Sequence, residues 1–161
     1  MSYTFQQLQA NDSGLYRSIR LEALQNYPEY FGSNYTQQAQ LEKLYFEKII
    51  EQNMPNGIMI GAFFANQLIG ICGVTFDTQL LPNAGEIIQM YVAPMHQGHK
   101  IGRDLMNHLY QIVKDQKQIK TLVLGVQKNN IPAIKTYLHC GFEIDFTIQQ
   151  QEDIQYMSLP V

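Results

Sequence analysis

The sequence predicts a single α/β domain over residues 1–161, with a mixed sheet of about six or seven strands and about four flanking helices. A chain of 161 residues is long enough to bury the core of one domain. Paired apolar runs separated by short turns indicate antiparallel hairpins in the first half. The second half reads strand, helix, strand, helix, strand, an order that implies parallel pairing at the centre of the sheet.

The amino-terminal half alternates between helix and strand signals. Its predicted elements are a strand over 3–8, helices over 11–25 and 38–52, and hairpin strands over 58–65 and 68–76. Leu15, Ile19 and Ala23 recur every four residues, which places them on one face of the first helix. The second helix is predicted from apolar residues on a shared face, namely Leu41, Leu44, Tyr45 and Ile49. Asn66 and Gln67 are predicted to form the hairpin turn.

The carboxy-terminal half has clearer boundaries. Its predicted elements are strands over 86–92, 121–126, 142–148 and 154–159, and helices over 101–114 and 130–140. Pro94 ends the first of these strands. Pro132 suits the first turn of the last helix, and Gly141 suits its carboxy-terminal cap. The last two strands are predicted to pair with each other across a polar turn.

Composition narrows the range of partners. The net charge is −3 and the isoelectric point is about 5.7, which argues against nucleic acid, since phosphate binding needs clustered Lys and Arg. The same balance favours a small cationic substrate. Cys72 and Cys140 lie in apolar stretches without metal-type spacing, so we predict reduced, buried thiols. No leader-like segment or membrane-length apolar run is apparent, which predicts a cytoplasmic protein without a membrane partner.

Residues 86–103 hold the segment with the most chemical information. A strand ends before Pro94, a loop containing Gly98 follows, and a helix begins near Gly102. Free backbone N–H groups at a helix amino terminus favour a pyrophosphate, and Lys100 and Arg103 would add positive charge. The alternative is that the glycines only allow a tight turn and close packing. The spacing matches neither a Walker A loop nor a dinucleotide fingerprint.

Two pieces of this segment resemble the acetyl-CoA signature of the GNAT superfamily of N-acetyltransferases: MYVAP at 90–94 and QGHKIG at 97–102. The signature is a Val-x-Pro strand end followed by Gln/Arg-x-x-Gly-x-Gly/Ala. Gln97, Gly98 and Gly102 agree with it, whereas Lys100 stands where its first glycine is expected. The loop keeps its function if Lys100 has helical backbone angles, because its N–H then stays available beside the phosphates.

A second block supports the resemblance. The sequence NIPAIKTYLHCGF at 130–142 matches every fixed position of the family pattern Asn-x-x-Ala-x-x-x-Tyr-x-x-x-Gly-Phe. The resemblance implies the GNAT fold, in which two parallel central strands splay apart, and implies acetyl-CoA as the acyl donor. It also implies that the loop residues hold the cofactor: Gln97, Gly98, His99, Lys100, Ile101, Gly102 and Arg103. The first two helices would wall the acceptor pocket.

Individual roles follow from the resemblance, each beside a structural alternative. Tyr137 would protonate the departing thiolate, or it is a core aromatic. Asn130 would contact the cofactor while capping its helix. Glu86 would act as the general base, directly or through water, or it is an ordinary strand-end carboxylate. Met90 and Val92 would use backbone groups to hold the acetyl carbonyl and the pantetheine arm, which stabilises an oxyanion.

The predicted reaction is acetyl transfer from acetyl-CoA to a primary amine of a small molecule or protein, by direct attack in a ternary complex and without a metal. His96 and His99 lack further ligands at zinc spacing. A non-catalytic acyl-CoA sensor and an enzyme with another donor, such as succinyl-CoA, remain alternatives. The acceptor is expected to be small and cationic, and a homodimer is compatible with the family.

Overall fold

A computed structural model describes residues 2–161, in which the chain forms a seven-stranded mixed sheet and five α-helices. The strands are β1 (Thr4–Gln7), β2 (Gly57–Phe64), β3 (Gln67–Thr75), β4 (Ala84–Val92), β5 (Thr121–Gln127), β6 (Glu143–Ile144) and β7 (Ile154–Pro160). The helices are α1 (Ser13–Asn26), α2 (Tyr35–Ala39), α3 (Tyr45–Gln52), α4 (Ile101–Val113) and α5 (Ile131–His139). No helix within residues 2–161 is long and apolar enough to span a bilayer.

The sheet has the order β1-β2-β3-β4-β5-β7-β6, and its single parallel pair, within the described residues, is β4 with β5. This confirms the predicted mixed sheet with parallel pairing at its centre. The last strand pairs with β6, as predicted, but it also pairs along its whole length with β5. Strand β7 therefore lies between β5 and β6, so β5 and β6 are not neighbours in the sheet.

Two layers of helices cover the two faces of the sheet. On one face α1 and α3 pack against β2, β3 and β4, with Tyr16, Phe46 and Ile71 completely buried. On the other face α4 and α5 pack around Leu105 and Leu109. The two cysteines are free thiols, as predicted, with Cys72 buried and Cys140 half-buried. This layering leaves the carboxy-terminal ends of β4 and β5 between the two helical layers.

The buried face of α1 differs from the predicted one. Ile19 and Ala23 are buried as expected, but Leu15 is exposed, so its assignment to the core was wrong. The helix is rotated so that Tyr16 and Arg20, one turn apart, face inward instead. The apolar spacing alone could not show this, because it gave no reason to place an arginine on the buried face.

The predicted helix over 38–52 is interrupted, so that prediction was wrong. The chain forms α2, leaves the helical path, and begins again at α3. Glu47 caps the second piece, since its side chain accepts a hydrogen bond from the backbone N–H of Leu44 at 2.9 Å. The guanidinium of Arg17 donates to the carbonyls of Ala39 and Leu41, at 3.1 and 2.8 Å, and fixes the break. Leu41 is consequently exposed rather than part of a helix face.

Strand β6 covers only two residues of the predicted strand over 142–148, whose remainder was also predicted wrongly. Asp145 accepts a hydrogen bond from the backbone N–H of Thr147 at 2.9 Å, and Gln150 donates to the carbonyl of Asp145 at 2.8 Å. These local bonds replace a strand ladder. Phe146, within the predicted strand, is exposed.

The turn between β2 and β3 is shifted by one residue from the predicted position. Its two central residues are Ala65 and Asn66, with φ values of 49° and 64°, and Phe64 pairs with Gln67. Two consecutive left-handed residues match the right-handed twist of a two-residue hairpin.

Candidate active site

Strands β4 and β5 separate near the middle of the sheet. They pair from Ala84 to Glu86 and no further, although β4 continues to Val92. A bulge lies at Gln89, which has a φ of 62°, and the hydroxyl of Tyr16 on α1 donates to its Oε1 at 2.6 Å. A bulge re-aims the strand that carries it. The backbone groups on the β5-facing edge of β4 beyond Glu86 are left without a strand partner.

A cleft of about 1070 Å³ opens at this separation. One side of the cleft, the loop side, consists of the 96–103 segment and α5. The opposite side, the α1 side, carries Arg20, Tyr27, Tyr30 and Phe31. The outer half of β4 forms the floor between them. The volume of the cleft is at the upper end of the range for ligand pockets.

The loop side presents a row of unsatisfied backbone donors. Gln97 ties the loop to the strand end, because its Nε2 donates to the carbonyl of Val92 at 3.0 Å. From Gly98 to Arg103, no backbone N–H donates a hydrogen bond within the described residues. Gly98 has a φ of 83°, which turns the loop back on itself. Such a concave row of N–H groups at a helix amino terminus is suited to an anionic phosphate.

Lys100 immediately precedes α4 in a left-handed conformation, with φ 62° and ψ 21°. The helical angles considered from the sequence are therefore wrong for this residue. A side chain with a Cβ atom pays about 1 kcal/mol for this conformation, which a glycine adopts freely.

Gly102 lies in the first turn of α4 and faces the cleft. A Cβ atom there would come no closer than 3.6 Å to Thr136 Cγ2 and 3.9 Å to Met90 Sδ, which is ordinary contact. The fold therefore does not require glycine at this position. A larger side chain would occupy the space above the free N–H groups.

Tyr137 is both a core residue and a cleft residue. Its side chain is 7% exposed and its ring meets that of Phe142 edge-on at 5.9 Å, yet it also lines the cleft. Its hydroxyl has no hydrogen-bond partner among the described residues. Burial raises the pKa of the phenol well above its ordinary value, so the group keeps its proton at neutral pH. The two alternatives from the sequence are therefore compatible.

Glu86 and Asn130 also line the cleft, from β4 and from the start of α5. The hydroxyl of Thr78 donates to Oε1 of Glu86 at 2.7 Å, which orients the carboxylate. Asn130 caps α5, since its Oδ1 accepts from the backbone N–H of Ala133 at 3.4 Å. The capping prediction for Asn130 is confirmed.

The structure brings together in one cleft nearly all the site residues predicted from sequence. These are Glu86, Met90, Val92, Gln97, Gly98, Lys100, Ile101, Gly102, Arg103, Asn130 and Tyr137. His99 does not line it: the Nδ1 of its ring donates to the carbonyl of Gln97 at 3.1 Å, and the ring packs near Tyr3. Within residues 2–161, no three His, Cys, Asp or Glu side chains form a metal-type cluster.

The residues of the α1 side and Thr78 are not predicted as site residues from the sequence. An available signal was Arg20, a charged residue one turn after Tyr16 and three before Ala23 on a helix whose inner face is otherwise apolar. The segment that follows α1 carries no recognisable spacing pattern of its own. No spacing rule connects it to β4, because the two meet only in the folded chain.

The mixed sheet with its separating central strands is the fold that the family resemblance implies. The chain belongs to the GNAT family of acetyltransferases, since the sequence profile described as "Acetyltransferase (GNAT) family" matches residues 20–142. This confirms the resemblance found in the two sequence blocks.

Individual relatives agree with this assignment. The spermidine N(1)-acetyltransferase of Thermoplasma acidophilum is 28% identical over 119 residues, which are 74% of this chain and 71% of the relative. The structure of PaiA N-acetyltransferase from the same organism, in complex with coenzyme A, has a TM-score of 0.79 at 22% identity and covers 100% of both chains. A GNAT-family acetyltransferase from Streptococcus pneumoniae has a TM-score of 0.81 at 15% identity over 99% of both chains. At these identities the two structures show a shared fold.

Proposed function

We propose that the protein transfers an acetyl group from acetyl-CoA to a primary amine of a small molecule, by direct attack in a ternary complex. The observation that carries the proposal is the row of free backbone N–H groups from Gly98 to Arg103 beside the separation of β4 and β5. A pyrophosphate on these donors would direct the thioester along the exposed edge of β4. The coenzyme A complex of the Thermoplasma PaiA relative supports this donor.

In the proposed reaction the amine nitrogen attacks the thioester carbonyl carbon, and the carbonyl oxygen gains the negative charge. The unpaired edge of β4, near Met90 and Val92, offers backbone groups that would stabilise this oxyanion. The carbon–sulfur bond then breaks, and the electron pair leaves on the coenzyme A sulfur. Tyr137 would donate its proton to that thiolate, and Glu86 would receive the proton of the amine, directly or through water.

Burial makes complete proton transfer from Tyr137 less favourable. A raised pKa keeps the phenol protonated, but it also makes the phenol a weaker acid, and general acids work best when their pKa is near the working pH. Water displacement around a bound thioester would strengthen the hydrogen bond from the phenol to a developing thiolate. We therefore expect a contribution through hydrogen bonding as well as through complete proton transfer.

The acceptor is proposed to be a small amine. The spermidine N(1)-acetyltransferase relative supports a small cationic acceptor, and the mildly acidic chain is compatible with one. The aromatic rings of Tyr27, Tyr30 and Tyr91 on or beside the α1 side could face the acceptor, with Tyr27 stacked on Tyr30 at 6.0 Å. Ring faces attract ammonium groups.

The test is a panel of amines incubated with acetyl-CoA, in which release of free coenzyme A thiol is followed and the acetylated amine is identified by mass spectrometry. The proposal predicts thiol release that requires both protein and amine. Binding of coenzyme A without release from acetyl-CoA or succinyl-CoA, for every amine tested, would favour a non-catalytic sensor. Release from succinyl-CoA alone would replace the donor and keep the reaction class.

The left-handed Lys100 is the observation that favours the sensor alternative. Lys100 stands where the family signature has glycine and costs about 1 kcal/mol in this conformation, a departure that a domain retaining only acyl-CoA binding would tolerate. The same turnover measurement distinguishes the two functions, because a sensor binds coenzyme A and releases no thiol.

A further inference from the structure

Arg20 is a buried arginine whose guanidinium has no polar partner among residues 2–161. The residue is 4% exposed, and its guanidinium makes no hydrogen bond or ion pair within the described residues. Arg17, one turn earlier on α1, does have polar partners. It pairs with Glu47 at 2.6 Å and donates to backbone carbonyls. The two side chains therefore differ in role, although they lie on the same helix.

The side chain of Arg20 lies along the α1 side of the cleft. Its guanidinium carbon is 5.2 Å from the centre of the Phe31 ring, and the Tyr16 ring lies one turn before it on the buried face of α1. Burial lowers the pKa of the guanidinium, although an arginine stays charged at any physiological pH. A ring face compensates a cation only in part, and it satisfies none of the five N–H donors.

No carboxylate within residues 2–161 forms an ion pair with Arg20, and those on α1 and α3 are engaged elsewhere. Glu22 on α1 accepts from the hydroxyl of Tyr91 at 2.7 Å. Glu47 on α3 holds Arg17 and caps its own helix. Among the described side chains that line the cleft, Glu86 is the one carboxylate, and Thr78 already donates to it. A charge buried without a partner is costly, which indicates a position completed by a ligand.

The cationic residues of the cleft lie on its two opposite sides. Lys100 and Arg103 lie on the loop side, beside the free backbone N–H groups, where they match the phosphates of the acyl donor. Arg20 lies on the α1 side and faces the acceptor space. The planar fork of a guanidinium fits the two oxygens of a carboxylate. The second anion accommodated by this cleft is therefore expected on the acceptor.

We propose that Arg20 binds a carboxylate on the acceptor, so that the favoured acceptors are amines that also carry a carboxylate, such as amino acids. This inference rests on the proposed transfer reaction and narrows its substrate class. It is compatible with a cationic acceptor, because a diamino acid such as lysine carries two ammonium groups as well as a carboxylate. A simple polyamine would leave Arg20 uncompensated.

The test compares amines that differ only in the carboxylate: lysine with cadaverine, and phenylalanine with phenethylamine. We expect wild-type kcat/KM to favour the carboxylate-bearing member of at least one pair by roughly 10- to 100-fold, the range of a charge-assisted hydrogen bond. Arg20→Met keeps the length and the apolar contact with Phe31 but removes the donors. In this variant the ratio should fall to within about 3-fold of unity.

Two further variants control the comparison. Arg103→Met removes the other arginine of the cleft, from the loop side, and should leave the ratio within each pair unchanged even where overall turnover falls. Arg20→Lys keeps the charge and loses the fork, so it should retain part of the ratio. The melting temperature of Arg20→Met should stay equal or rise, because the change removes an uncompensated buried charge. Should Arg20→Met not fold, Arg20→Lys carries the comparison.

A ratio near unity in the wild type for both pairs overturns the inference, as does a ratio that survives in Arg20→Met. The carboxylate could also belong to the acyl group. A wild-type preference for succinyl-CoA over acetyl-CoA with cadaverine, lost in Arg20→Met, would place it there and would overturn the assignment to the acceptor.

A binding measurement separates this inference from the proposed reaction. Nε-acetyllysine should raise the melting temperature of the wild type and not that of Arg20→Met, whereas N-acetylcadaverine should raise neither or both equally. If this pattern appears but no amine is acetylated, the carboxylate subsite stands and the proposed reaction fails. If the two members of each pair are acetylated equally well, the reaction stands and the subsite fails.

Discussion

The two sides of the cleft present different chemical groups, backbone donors on one side and side chains on the other. The loop side offers backbone N–H groups between Gly98 and Arg103, which lie next to one another in sequence. The α1 side offers side chains, with Arg20 and Phe31 brought against β4 from a separate segment. A site made of backbone groups leaves a local spacing pattern in the sequence. A site made of side chains from distant segments leaves little, so specificity is harder to predict than cofactor binding.

The largest expected effect comes from filling the loop side. Gly102→Glu would place a bulky anion over the free N–H groups and should remove measurable coenzyme A binding in calorimetry. Gly102→Ala is the matched control, because its Cβ meets only ordinary contacts. It should fold as well as the wild type and bind more weakly than it. Unchanged affinity in the folded Gly102→Glu variant would remove the loop from the site.

A smaller effect, a loss of turnover, is expected from removing the hydroxyl of Tyr137 on α5. Tyr137→Phe keeps the ring contact with Phe142 and removes only the hydroxyl, which has no hydrogen-bond partner among residues 2–161. Melting temperature and coenzyme A affinity should change little, while kcat should fall roughly 10- to 1000-fold on a working acceptor. Full activity in a folded variant would leave solvent as the proton donor and Tyr137 as a core residue.

The carboxylate on β4 is expected to contribute less, because water can also accept a proton from the amine. Glu86→Gln should lower kcat by roughly 10- to 100-fold. Thr78→Val removes the hydroxyl that orients Glu86 and that also accepts from the Leu80 backbone N–H at 3.2 Å. It should lower kcat by less than Glu86→Gln does, with a small fall in melting temperature from the lost backbone contact. If Thr78→Val lowers kcat more than Glu86→Gln, the hydroxyl acts in some way other than by orienting this carboxylate.

The smallest expected effect concerns Lys100. Lys100→Gly relieves the left-handed backbone but loses a positive charge beside the loop. The free energy of unfolding should rise by roughly 0.5–1 kcal/mol. Coenzyme A affinity should stay within a few-fold of the wild type, since the gain in preorganisation and the loss of charge oppose each other. A large gain in affinity would show that strain at Lys100 limits binding.

The comparison of the two sides also explains which sequence predictions failed. The fold class, the parallel pair and the boundaries of α4 and α5 followed from apolar periodicity and from proline and glycine signals. The interruption between α2 and α3 depends on Arg17 reaching carbonyls more than twenty residues away. The early end of β6 depends on side chains that bond to nearby backbone. Neither type of contact appears in a periodicity pattern.

The candidate site divides in the same way. The loop residues and Tyr137 were predicted from two short blocks, and all but His99 line the cleft. Arg20 was missed as a functional residue because its meaning comes from what is absent around it, a carboxylate partner within the fold. A sequence shows a charged residue, but only the packed structure shows that the charge is buried and unpaired.

Calorimetric titration of coenzyme A into wild type, Gly102→Glu and Arg20→Met tests this division of the cleft most directly. If the loop side alone holds the acyl donor, Gly102→Glu abolishes binding while Arg20→Met keeps the dissociation constant within about 3-fold of the wild type. A loss of affinity of about 10-fold or more in Arg20→Met would contradict this division, since Arg20 would then bind the acyl donor. Unimpaired binding in Gly102→Glu would also contradict it, since the loop would then not bind the donor.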